Sequence, residues 1–183
     1  MASAAQLTLP ALPALRSLGT LADAKPVLAC DTREVQPLQF EHLPCVRKTL
    51  AEADYQICGI SDFAVERKGS LDELAGCCMG SNRERLEREF RRLLPYRWKR
   101  LLIVGATCDE DILSYRYHCD ILPKSVLGSL YAWQAAFNLP FVLTPSPQTA
   151  ARLIERWAHY WCAYRVKELN ELLRGCQEAE EVQ

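Results

Sequence analysis

The fold is decided by residues 54–72, DYQICGISDFAVERKGSLD, which predict a β-hairpin that runs into a helix. The turn signal lies at residues 59–62, with runs rich in apolar residues on both sides. If the turn centres on Ile60, Asp54 lies opposite Glu66. Residues paired across two strands in this way have Cβ atoms about 5 Å apart. The hairpin therefore brings two carboxylates together.

A lysine joins these two carboxylates on one face of the sheet. Because side chains alternate along a strand, Glu66 and Lys68 point to one face and Arg67 points to the other. Adjacent carboxylates repel each other unless a cation lies between them, and Mg²⁺ prefers such oxygen ligands. A metal ion polarises phosphoryl oxygens, and an ammonium group offsets developing charge. The set suits phosphodiester hydrolysis, although an isolated Glu-x-Lys is more often a solvated strand end.

Composition predicts one soluble globular domain. The chain has 183 residues, of which 49% are hydrophobic and 25% charged. The net charge of −1 gives no argument for nucleic acid from the whole molecule. Residues 83–100, however, contain eight basic and three acidic side chains. This local excess makes the segment the first choice for phosphate contacts, through Arg83, Arg85, Arg88 and Arg92.

The cysteines and the chain start indicate a cytosolic protein. None of the nine cysteines lies in C-x-x-C spacing, so reduced thiols are favoured over zinc ligands or disulfides. The three histidines are scattered and suggest no site. No apolar run approaches the roughly 20 residues that span a bilayer, so no membrane role is expected. Residues 1–25 lack a basic start and are interpreted as a loose N-terminal arm, with a partner-docking segment as the alternative.

Strands and helices alternate along the chain. Residues 26–30 predict a strand that ends in the charge cluster Asp31 to Glu34, and residues 45–50 predict a strand or a short helix. Ser70 and Glu73 fit a capping box. Asp72 then either occupies the first helical turn or orients Lys68 or Arg67. A further helix follows, with an apolar stripe at Leu86, Phe90, Leu93 and Leu94.

The second half continues this alternation. Residues 101–106 predict a central strand, residues 109–111 a polar loop, and Ser125 to Phe137 a helix that stops at Asn138. After a strand at residues 139–143, Ser146-Pro147 begins a long helix. That helix is expected to end near Arg174 with Gly175 as its C-cap, before a disordered acidic tail within residues 175–183. The predicted class is α/β, with a mixed sheet flanked by helices.

Three clusters in this order resemble the motifs of the XPF-type nuclease domain. They are Asp31-Thr-Arg33-Glu34, Ala53-Asp54-Tyr55 and Glu66-Arg67-Lys68-Gly-Ser-Leu-Asp72, where the family has V-D-x-R-E, G-D-Y and E-R-K-x-x-x-D. Residues 83–89, 101–105, 123–130 and 149–153 are similar to later family segments, so the likeness covers about residues 26–165. A nuclease domain is therefore expected over residues 26–174.

This resemblance implies a restriction-endonuclease-like fold and Mg²⁺-dependent cleavage of DNA, with Mn²⁺ as a substitute. It implies branched substrates such as flaps and forks, in repair, recombination or phage DNA processing. Asp31, Asp54 and Glu66 correspond to the metal-binding acids, and Lys68 to the residue that positions the attacking water. The resemblance also implies supporting roles in catalysis for Arg33, Glu34, Arg67 and Asp72.

The chain departs from the family pattern at two positions. Ala53 replaces the usual glycine, and Val104 stands where many members carry an acid. The length resembles short stand-alone bacterial or phage forms, so duplex grip is expected from the domain, a homodimer or a partner protein. The cytoplasm is the expected compartment, or the nucleus in a eukaryote. The alternative function is a non-catalytic scaffold subunit that binds DNA junctions, but such partners usually lose the motif acids retained here.

Overall fold

A computed structural model describes residues 25–181, with side chains described through residue 176. Most of the predicted N-terminal arm, residues 1–24, lies outside the described residues. Residues 26–162 form one compact unit, and the helical residues from Ala163 onward belong to a second unit. Within the described residues, no helix is both long and apolar enough to cross a membrane.

The compact unit is built on a six-stranded mixed sheet. Its strands are β1 (Leu28–Asp31), β2 (Cys45–Lys48), β3 (Tyr55–Ile57), β4 (Ile60–Lys68), β5 (Trp98–Val104) and β6 (Phe141–Thr144). They lie in the order β2-β1-β3-β4-β5-β6. β1 runs parallel to β2 and antiparallel to β3, and β4, β5 and β6 are parallel neighbours. Of the two alternatives for residues 45–50, the strand is confirmed, over Cys45–Lys48.

The described part of the chain contains five helices, of which the last runs from the compact unit into the second unit. They are α1 (Leu71–Cys77), α2 (Gly80–Arg92), α3 (Asp109–Ser114), α4 (Pro123–Phe137) and α5 (Pro147–Glu181). Alternation along β5 shows how both faces of the sheet are covered, because Leu101 and Ile103 pack on one core and Leu102 and Val104 on the other. The prediction of a mixed sheet between helices is confirmed.

The β3–β4 hairpin keeps the predicted register at Tyr55, the residue that follows Asp54. Tyr55 lies opposite Val65, as that register requires, and Asp54, one residue before β3, donates its backbone N–H to the carbonyl of Val65. Near the turn the register shifts, so that Ile57 lies opposite Ile60 and Gly59 takes a φ of 79°. The turn is thus one to two residues earlier than expected, and a bulge absorbs the difference.

Several predicted boundaries are wrong for local reasons. Residues 109–111 open α3 instead of forming a loop, and the Asp111 carboxylate accepts hydrogen bonds from the backbone of Thr107 and Cys108. Helix α4 begins at Pro123, which suits a first helical position, so Ser125 lies inside the helix and does not cap it. Leu94 follows α2 and is 49% exposed, so it is not part of the buried stripe.

The last helix is longer than expected. Ser146 caps its start, accepting a hydrogen bond from the backbone of Thr149 at 3.2 Å, as predicted. The helix then continues through Gly175 to Glu181, so Gly175 is not a C-cap and the tail is helical as far as Glu181. One glycine inside a helix costs only about 1 kcal/mol relative to alanine, which flanking residues with high helix propensity can offset.

Candidate active site

The hairpin and its neighbour β1 place the three predicted metal-binding acids side by side. Asp54 lies just before β3, where its backbone N–H donates to Val65 at 3.1 Å. Its carbonyl accepts a hydrogen bond from the backbone of Asp31 at 2.9 Å. Asp54 therefore sits between Asp31 at the end of β1 and Glu66 in β4.

Asp54 and Glu66 form an electrostatically coupled pair. One Asp54 oxygen, Oδ2, accepts a hydrogen bond from the backbone of Arg67 at 2.7 Å. Burial and the neighbouring Glu66 charge nevertheless raise the pKa of Asp54 to about 8. Asp54 can therefore hold a proton near neutral pH or face a cation in its place.

Lys68 is buried beside these acids. Its Nζ donates to Glu66 Oε1 at 2.9 Å and lies 3.8 Å from Glu73 Oε1. Burial by itself lowers the pKa of Lys68, but the neighbouring acidic groups, led by Glu66, raise it above its usual value. Lys68 is therefore a fixed positive charge at neutral pH, which suits holding a water or a developing anion.

Asp31 is almost fully buried and bound to Arg33. Its side chain is 2% exposed, and the Arg33 guanidinium contacts both of its carboxylate oxygens. Hydrogen bonds from Arg33 hold the pKa of Asp31 below its usual value. Unlike Asp54, Asp31 already has a positive partner.

Glu34 and Arg67 meet on the opposite side of β4. Arg67 Nη2 lies 3.0 Å from Glu34 Oε1 and 3.0 Å from the carbonyl of Gln36. Both side chains are largely buried, and they line a second cleft of about 390 Å³ together with Gly69 and Glu73. Their contact holds the loop after β1 against β4, the strand that carries Glu66 and Lys68.

Asp72 lies in the first turn of α1 and contacts the segment after α3. It accepts hydrogen bonds from the Tyr115 hydroxyl at 2.8 Å and the His118 backbone at 2.9 Å. His118 Nδ1 lies 2.7 Å from the same carboxylate. These contacts favour the alternative in which Asp72 occupies the first helical turn over the one in which it orients Lys68 or Arg67, and Glu73 is the α1 acid near Lys68. His118, which suggested no site from sequence, belongs to this contact.

A cavity of about 110 Å³ opens beside the acid pair. Besides Asp54 and Glu66, it is lined by Arg33, Glu52, Glu89, Arg92 and their neighbours Ala51, Ala53 and Leu93. Neither Glu52 nor Glu89 is among the site residues predicted from the sequence. A signal for Glu89 was present, because it lies three residues after Leu86 and four before Leu93, on the buried stripe of α2.

The four predicted DNA-binding arginines have different surroundings. Arg83 contacts Ser129 Oγ at 2.7 Å and Glu87 at 2.9 Å, and lies over the Trp133 ring. Arg92 pairs with Glu52 at 2.7 Å and lines the cavity. Arg85 and Arg88 are exposed and make no hydrogen bond or ion pair within the described part of the chain. The structure therefore commits Arg83 to helix packing and leaves Arg85 and Arg88 accessible.

The acid pair fits a hard divalent cation by its chemistry. Two carboxylates close enough to raise a pKa lie beside a cavity with room for water. Among the described residues, however, no three His, Cys, Asp or Glu side chains are already gathered as a metal-ligand cluster. Asp54 and Glu66 are therefore the acids whose positions suit such an ion, whereas the Asp31 carboxylate is bonded to Arg33.

The fold and this arrangement of acids and lysine define a restriction-endonuclease-like domain with a nuclease motif. The model of the ERCC4 domain matches residues 30–156, more than half of the chain. The chain therefore belongs to the ERCC4 domain family, that of the XPF-type nucleases, and the predicted resemblance is confirmed.

Solved structures support the same fold. The chain is similar to XPF from Aeropyrum pernix, with a TM-score of 0.59 and 21% identity over 80% of this chain and 70% of that one. It is also similar to XPF from Aeropyrum pernix in complex with DNA, with a TM-score of 0.56 and 20% identity over 77% and 66% of the two chains. No curated protein matches the sequence.

Proposed function

We propose that this protein is a metal-dependent endonuclease that hydrolyses phosphodiester bonds in branched DNA during repair, recombination or phage DNA processing. The observation that carries the proposal is the Asp54–Glu66 pair with Lys68 bound to Glu66, within an ERCC4 domain. A similar fold, that of XPF from Aeropyrum pernix, has been solved in complex with DNA. Flaps and forks are the substrates we infer from the family motifs.

The residues of the site divide the chemistry between them. Asp54 and Glu66 would hold Mg²⁺, or Mn²⁺ in its place, with Asp31 as the third acid. The bound cation supplies Lewis acidity and a more acidic water. Lys68 is fixed by Glu66 and offsets negative charge that develops on the phosphoryl oxygens. Glu34 and Arg67 keep the strand that carries these groups in place.

The DNA backbone has a basic approach to this site. Arg85 and Arg88 are exposed on α2, and Arg92 of the same helix lines the cavity. We assign phosphate contacts to these three side chains, because exposed arginines exchange counterions for phosphates. Arg83 instead stabilises packing between α2 and α4. A homodimer or a partner protein would extend this surface.

One observation favours the second candidate, a junction-binding subunit without its own activity. Asp31 is held by Arg33, so only two of the three motif acids are ready for a cation. Both candidates predict binding to branched DNA, and only the first predicts cleavage.

Cleavage of end-labelled DNA separates the two candidates. Fork, flap, duplex and single-stranded substrates are incubated with Mg²⁺, Mn²⁺ or EDTA, using the wild type, Asp54→Asn and a matched control, Asp120→Asn, at an exposed acid. We expect metal-dependent cutting of the branched substrates by the wild type and the control only. Cutting by purified, folded Asp54→Asn would contradict the proposed function. Salt-sensitive fork binding without any cutting would favour the junction-binding subunit.

A further inference from the structure

Arg33 occupies both oxygens of the Asp31 carboxylate. Its Nε lies 3.1 Å from Oδ1 and 3.1 Å from Oδ2, and its Nη2 also bonds to Oδ2. Its backbone N–H donates to Oδ1 at 2.8 Å. A further bond from Nη2 to the carbonyl of Leu50, at 2.9 Å, fixes the guanidinium. Arg33 therefore takes the positions around Asp31 that another cation would need.

The same guanidinium is accessible from outside the protein. The Arg33 side chain is 69% exposed, whereas that of Asp31 is 2% exposed. Arg33 also lines the cavity that contains Asp54 and Glu66. A phosphate that enters this cavity can therefore reach the guanidinium, which binds phosphate with the same two-pronged geometry as carboxylate.

We propose that Arg33 couples DNA binding to cation binding by exchanging the Asp31 carboxylate for a DNA phosphate. The proposal rests on the proposed function, since it concerns the same site. In the DNA-free protein, the carboxylates of Asp54 and Glu66 can bind a cation, whereas the Asp31 carboxylate is bonded to Arg33. When a phosphate binds the Arg33 guanidinium, the Asp31 carboxylate is released. Asp31 is already next to the acid pair, because its backbone N–H donates a hydrogen bond to the carbonyl of Asp54.

The exchange makes the two binding events cooperative. Because binding free energies are linked, DNA raises cation affinity by the same factor by which the cation raises DNA affinity. Coupling between two sites in proteins is typically 5-fold to 150-fold, and we expect about tenfold for one released carboxylate. The free enzyme would then hold its cation weakly and gain a complete ligand set only on DNA.

Removing Arg33 tests this exchange without any cleavage. Mn²⁺ is titrated into DNA-free protein, and binding is followed by loss of the electron paramagnetic resonance signal of the free ion. The proteins are the wild type, Arg33→Gln, Asp31→Asn and the double variant, with Arg91→Gln as a matched control on the exposed side of α2. We expect Arg33→Gln to bind Mn²⁺ about tenfold more tightly than the wild type. Arg33→Lys, which keeps the charge but lacks the fork, should lie between them and serves if the glutamine variant does not fold.

The Asp31→Asn background identifies the cause. If Arg33 acts through Asp31, Arg33→Gln has no effect on Mn²⁺ affinity once Asp31 is asparagine. An equal gain in that background would show a general charge effect and overturn the proposal. An unchanged or weaker Mn²⁺ affinity in Arg33→Gln, with Asp31 present, would overturn it too.

Fork DNA provides the second arm. In a Lys68→Gln background, in which the proposed function predicts much slower cleavage than in the wild type, bound fork should raise Mn²⁺ affinity about tenfold when Arg33 is present and not when it is glutamine. Cleavage by the wild type together with a fork effect that does not depend on Arg33 would refute the coupling and leave the nuclease function standing. Absence of both cleavage and Mn²⁺ binding in the wild type would refute both.

Discussion

Replacing Asp54 with asparagine should stabilise the metal-free protein while abolishing its activity. The pKa of Asp54 is raised to about 8 in the folded chain, against an ordinary value of 3.8. Below pH 3.8 the carboxyl group is protonated in both the folded and the unfolded chain, and its contribution to the free energy of unfolding is fully present. As the pH rises from 3.8 toward 8, the unfolded chain loses the proton while the folded chain keeps it, so that contribution is lost. Asparagine has a similar shape and no charge to lose, so it escapes this penalty.

The size of the effect follows from the difference between the two pKa values. Each pKa unit corresponds to about 1.4 kcal/mol, so the penalty at pH 7 has an upper limit of about 4 kcal/mol. Asparagine must accept the hydrogen bond from the Arg67 backbone through its amide oxygen, and a less favourable geometry there would cost about 1–2 kcal/mol. The net gain for Asp54→Asn should be about 2 kcal/mol at pH 7, or roughly 4–8 °C in Tm for a chain of this size.

Thermal unfolding in EDTA at pH 5, 7 and 8.5 measures this gain. The difference between Asp54→Asn and the wild type should grow with pH, and Asp120→Asn should show no such trend. Mg²⁺ should then raise the Tm of the wild type but not that of the variant, because only the wild type retains the acid pair. A variant less stable than the wild type at pH 8.5 in EDTA, or a difference independent of pH, would refute the electrostatic account of the pair.

Three further outcomes follow from the structure. Ala53 has a φ of 60°, a conformation that costs a non-glycine residue about 1–2 kcal/mol. Ala53→Gly should therefore raise the free energy of unfolding, measured in urea, by about 1 kcal/mol, and a loss of stability would contradict this. Lys68→Gln should slow single-turnover cleavage by about 10²–10³-fold while fork affinity stays near that of the wild type, and an equal loss of both would argue against a role in the transition state. Arg85→Gln combined with Arg88→Gln should reduce the salt dependence of fork binding, measured by fluorescence anisotropy, by about two phosphate contacts. Arg83→Gln should instead mainly lower stability. The reverse pattern would refute the assignment of the phosphate contacts.

The centre of the site could be predicted from the sequence because it is local. Asp54 and Glu66 belong to one hairpin, and side-chain alternation fixes which residues share a face with Lys68. The predicted register was correct at Tyr55 and Val65, the neighbours of the two acids, even though the turn lies earlier than expected, since a shift in register nearer the turn absorbs the difference. Motif order then indicated the fold, which the family match and the sheet confirm.

The rest of the site depends on contacts between distant segments. Nothing near Asp72 in sequence predicts that Tyr115 and His118 will bind its carboxylate. The same holds for Arg83, whose position in a basic run predicted DNA contact although its partners lie on α4. Charge patterns identify which side chains are available for a site, but packing decides which of them are already bound within the protein.

The hairpin that joins Asp54 to Glu66 also determines when in folding these groups meet. Contacts between residues close in sequence require little loop closure, so such pairs form early, whereas the parallel pairing of β4 with β5 must wait for more of the chain. Repulsion between like charges that meet early raises the free energy of the folding transition state as well as that of the native state. At alkaline pH we therefore expect the acid pair to slow refolding and not only to hasten unfolding, so a nascent chain would fold faster where divalent cations are available.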